Sequence, residues 1–178
     1  SGSDNNKRAI IRVPAGTWGP VGSPQRTAVI NMLKDPTFIG KGGTPTSAAY
    51  AEAAAYLLGT TTGGGAYSGQ NLVTNSAIGT SSKYQSPITP NSAPECSGQG
   101  IYFLTDGQPQ TPVDSNTSTL MANALGLTSY SFSSSLSNNG LYDDVGAFKS
   151  DWQAIGSFAH SLNDEEIIRR ALGQQKGG

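Results

Sequence analysis

The sequence predicts an α/β fold, with a mostly parallel central sheet, helices on both faces and a long polar insert. Three observations predict it. Its elements read in the order strand, helix, helix, strand, helix, helix, which is how a parallel sheet with crossover helices reads. Residues 100–105 run Gly-Ile-Tyr-Phe-Leu-Thr without polar alternation, as a central strand covered on both faces does. That run ends at Asp106-Gly107, and sheets of this kind bind ligands just beyond the carboxyl ends of their strands.

The first strand is expected over 7–13, Lys-Arg-Ala-Ile-Ile-Arg-Val, and is stopped by Pro14. A turn-rich stretch with Gly16, Gly19, Pro20 and Gly22 leads to a short helix over 25–34. There Val29, Ile30 and Leu33 share a face flanked by Ala28 and Met32. Gly40-Lys41-Gly42-Gly43-Thr44-Pro45-Thr46-Ser47 then introduces a strong helix over 48–58. Thr44 suits the N-cap, and Pro45 the first helical position, where no N–H is needed. Tyr50, Ala53, Ala54 and Leu57 form its expected buried stripe, and its alanines would let it lie close to a sheet.

Residues 59–98 are a low-complexity insert rich in Gly, Ser, Thr and Asn. Tyr67, Tyr84 and the run Ser86-Pro87-Ile88-Thr89-Pro90 are the residues suited to pin it to the body. Beyond the acidic turn, a helix is expected over 117–125 with Leu120, Met121, Ala124 and Leu125 inward. A second is expected over 151–162, with Trp152, Ile155, Phe158, Ala159 and Leu162 on one face and Asp151 or Ser150 as cap. A last short helix is expected over 165–172.

Composition narrows the function. The chain has 178 residues, enough for one domain with a real core. Apolar residues are 35% and charged residues 13%, the latter about half the usual share. With 23 glycines, much of the chain is polar loop. Net charge is −1, and no basic stripe exists to neutralise phosphates, which argues against a nucleic-acid partner. No apolar run approaches the length of a membrane span. Cys96 is the single cysteine. It is either a free or buried thiol or the half of a bridge whose partner lies outside the chain.

The chemistry-bearing residues are few. Asp106, at the lip of a strand, is either a turn residue or a ligand for a hard cation. Thr44, at a helix N-terminus, either caps that helix or reaches a metal or an anion. The phosphate-loop pattern fails because Gly42 follows Gly40-Lys41, and no Gly-x-Ser-x-Gly elbow exists. His160 is the one histidine, and it lies within an apolar helix pattern. An enzyme is therefore the weakest reading. Asp143-Asp144 and Asp164-Glu165-Glu166 read as solvated acids near helix ends, and Asn116-Thr117-Ser118 formally matches an N-glycosylation site.

Gly42-Gly43-Thr44-Pro45-Thr46 together with Phe103-Leu104-Thr105-Asp106-Gly107-Gln108-Pro109 resembles the von Willebrand factor A domain. Ala48-x-Tyr50-Ala51-Glu52-Ala53, Ser86-Pro87-Ile88, Cys96, Leu120-Met121-x-x-Ala124-Leu125 and Asp151-Trp152-x-x-Ile155-Gly156-x-Phe158-Ala159 narrow the match. Together they are similar to the N-terminal domain of large type IV pilus tip adhesins of the PilC/PilY family, over roughly residues 7–162. The resemblance implies a Rossmann-like fold and a metal-ion-dependent adhesion site at the top of the sheet. It implies Thr44 and Asp106 as metal ligands, and Mg²⁺ or Ca²⁺ as the ion. It further implies host or surface ligands and other pilus subunits as partners, at the bacterial cell surface or pilus tip, without catalysis.

The family's opening Asp-x-Ser-x-Ser motif does not occur before Thr44. Asp114-Ser115-Asn116-Thr117-Ser118 is superficially similar but follows Asp106. The expectation is thus a single, incomplete domain over 1–178, whose alternative role is structural, bracing a surface assembly with a degenerate metal site.

Overall fold

A computed structural model describes residues 9–38, 44–61, 78–80, 83–88, 100–104, 115–130 and 149–164. Among them are four helices and one small hairpin: α1 (Pro24–Lys34), α2 (Thr46–Leu58), β1 (Gly79–Thr80), β2 (Lys83–Tyr84), α3 (Ser115–Ala124) and α4 (Lys149–Leu162). The β1–β2 pair is antiparallel, with Gly79 opposite Tyr84 and Thr80 opposite Lys83.

The core is a helix contact. α2 packs on both α3 and α4. Its buried side chains are Ser47, Ala48, Ala51, Glu52, Ala54, Ala55 and Leu58, a broad stripe of mostly small residues. Small side chains let two backbones approach closely, so Leu120, Met121 and Leu125 of the α3 segment and Phe158 of α4 fill the remaining space. The expected stripe is therefore rotated by about one residue, or ~100°. Of Tyr50, Ala53, Ala54 and Leu57, only Ala54 is fully buried. Choosing the bulkier residues misplaces the face, because here alanines make the closest contact. Those alanines face helices, not a sheet.

α3 follows expectation, with Leu120, Met121, Ala124 and Leu125 all buried. α4 begins at Lys149, so Ser150 and Asp151 lie inside its first turn and do not cap it. Its buried residues are Ala154, Ser157 and Phe158, while Trp152, Ile155, Ala159 and Leu162 are half-buried. The Asn116-Thr117-Ser118 sequence falls in the first turn of α3, with Thr117 buried.

α2 ends on Gly59 in the left-handed region, φ 70°. The Gly59 N–H donates to the Tyr56 carbonyl and the Thr60 N–H to the Ala55 carbonyl, the paired bonds of a Schellman stop. A side chain at Gly59 would also collide with the Ser86 backbone N at 2.8 Å. α3 stops the same way at Gly126, and the Thr60 hydroxyl donates to the Ala124 carbonyl at 3.1 Å. The C-terminal ends of the two helices are thereby tied together.

That junction anchors part of the polar insert. Ser86 Oγ donates to the Leu57 carbonyl at 2.6 Å, and the Tyr84 N–H donates to the Thr60 carbonyl. Ile78 is fully buried. The buried Tyr84 hydroxyl donates to the buried Glu52 carboxylate at 2.5 Å. Tyr84 and Ser86 thus pin the insert as expected, while Tyr67, Thr89 and Pro90 lie outside the described residues.

The two expected strands differ from the sequence reading. Residues 9–13 form no strand, although Ile11 rests on the core. Residues 100–104 are also unpaired, with Tyr102 89% and Leu104 90% exposed. A segment covered on both faces would hide both. β-propensity is realised only against a partner strand, and no such partner lies among the described residues. The parallel sheet thus remains an expectation. α1 spans one residue more than expected, with Pro24 in its first turn, and buries none of its residues. Leu33 is 60% exposed, so the apolar face read from the sequence is open. The expected helix over 165–172, Cys96 and Asp143-Asp144 lie outside the described residues.

Two stability predictions follow from this core. Phe158→Ala should cost about 3–5 kcal/mol by urea denaturation, the usual loss for a buried ring. Tyr84→Phe should cost about 1–3 kcal/mol, because the Glu52 carboxylate stays buried after its hydroxyl donor is removed.

Candidate functional site

The N-terminal end of α2 holds the first predicted ligand. Pro45, not Thr44, is the N-cap residue, with φ −80° and ψ 60°. Its carbonyl accepts the Ala49 N–H at 2.9 Å. Helix α2 has no side-chain cap bond. The expectation that Thr44 caps the helix, with Pro45 inside it, is corrected by one position. The physical reason is local. The Thr46 N–H and hydroxyl both turn back to the Thr44 carbonyl, at 2.9 and 3.5 Å. That turn uses the backbone of Thr44 and leaves its hydroxyl out of the capping. Thr44 is half-buried, at the helix end that carries partial positive charge.

Asp106 lies outside the described residues, as do Gly40–Gly43 and Pro109. The segment that leads to Asp106 is described as far as Leu104. One of its residues makes a ring contact with α2. Phe103 meets Tyr50 edge-on, with centroids 5.0 Å apart and planes at 83°. Tyr50 in turn meets Phe158 at 5.1 Å and 84°, and Phe158 meets Tyr130 at 6.1 Å and 89°. Four rings thus join the 100–104 segment, α2, α4 and the chain after α3. Each such pair is worth about 0.5–1.5 kcal/mol beyond its buried area.

Tyr50 lies in the second turn of α2, whose N-terminal end follows Thr44, and it meets Phe103 of the 100–104 segment. The sequence pattern placed Tyr50 in a buried stripe but missed its role as the junction. The signal available was an aromatic residue amid alanines, one and a half turns into the helix.

Among the described residues, no group of three or more His, Cys, Asp and Glu side chains is gathered. His160 is exposed on α4. Glu52 is the one fully buried carboxylate among them, and Tyr84 occupies it. No helix among them is long and apolar enough to cross a membrane.

Burial raises the Tyr50 hydroxyl above its ordinary pKa of 10.0. Burial does the same to Tyr130, partly offset by the hydroxyls of Ser161 and Ser157 beside it. At the surface, Asp35 is held low by the backbone N–H and then the hydroxyl of Thr37.

No protein-family model, curated protein or solved structure matches the chain.

The raised tyrosines define a pH prediction. A neutral phenol is favoured in the folded state, so the unfolded state loses its proton first as pH rises. Stability from this source is complete below about pH 10 and falls above it. Thermal melting followed across that range should show the decline in the wild type, and a shallower decline in Tyr50→Phe.

Proposed function

We propose that this chain is the extracellular adhesion domain of a bacterial type IV pilus tip protein. It has a von Willebrand factor A-like fold, a Rossmann-like α/β arrangement with a mostly parallel sheet. It binds host or surface ligands, contacts other pilus subunits and carries out no catalysis. Thr44 and Asp106 contribute to a site for Mg²⁺ or Ca²⁺ at which a carboxylate of the ligand completes the coordination. Hard cations of this kind take oxygen donors, and a hydroxyl plus a carboxylate is a donor set of that class.

The observation that carries this reading is the state of Thr44. Its competing role was to cap α2, and Pro45 takes that position instead. A threonine next to an electropositive helix end with no capping duty is suited to a ligand. The Tyr50–Phe103 contact adds support, because it sets a residue three positions before Asp106 in the sequence against the same helix.

One observation favours a second reading, in which the domain braces a surface assembly and its metal site is degenerate. Thr44 and Asp106 are two ligands, and the Asp-x-Ser-x-Ser segment that would supply the others does not precede Thr44. Calorimetric titration of Mg²⁺ into the chain separates the two. The adhesion reading expects binding by the wild type, and at least about tenfold weaker binding by Thr44→Val and by Asp106→Ala. Equal binding by the wild type and Asp106→Ala would remove Asp106 from the site. No binding by the wild type would leave the structural role.

A further inference from the structure

We draw no further inference here: the strongest candidate, the open apolar face of α1 that carries Ile30 and Leu33, with the exposed Trp18 ring against Arg26 of the same helix, carries nothing because no feature among the described residues shows what covers it.

Discussion

Close approach of α2 to its neighbours is the constraint on which the described structure depends. It is made by Ala51, Ala54 and Ala55, all fully buried. Small residues there bring α3 and α4 near enough for Leu120, Met121, Leu125 and Phe158 to interlock. A longer side chain at any of these three positions would push the helices apart, because protein interiors leave few voids to absorb it. Several other described features are placed relative to α2. The Gly59 stop seats Ser86, Thr60 joins the end of α3, and Tyr50 carries the row of rings.

The same helix separates two kinds of work along its length. Its C-terminal end is fully engaged, with left-handed glycine, hydroxyl bonds and the hairpin all locked to it. Its N-terminal end is left without a side-chain cap. Helix termini are where orphan backbone groups must find partners, and a free N-terminal end favours negative charge. An adhesion site at Thr44 would use that end, and the engaged opposite end would give it a firm base.

Burial of Glu52 belongs to the same economy of space. A carboxylate on an alanine-rich face is costly without partners. Tyr84 reaches it from the insert and adds a ring contact to Tyr56 at 5.5 Å. A polar residue that hydropathy alone would place outward thus becomes the tie between the insert and the helix bundle. This explains why an insert of low complexity carries a buried tyrosine and a fully buried isoleucine, Ile78.

The sequence by itself determined the helices, their approximate limits and the inward face of α3. Those follow from local spacing, which acts within a turn or two. It also singled out Thr44, and marked Tyr84 and Ser86 as anchors of the insert. Only the tertiary structure decided which face of α2 is buried, that Pro45 displaces Thr44 from the cap, and that Ile101 and Phe103 face the body with Tyr102 and Leu104 outside. These outcomes depend on partners far away in the chain. Alanine carries almost no hydropathy signal, so its value as a contact surface exists only once a second helix arrives. An apolar run such as Ile-Tyr-Phe-Leu has equal appetite on both faces, and what lies beside it settles which side is covered.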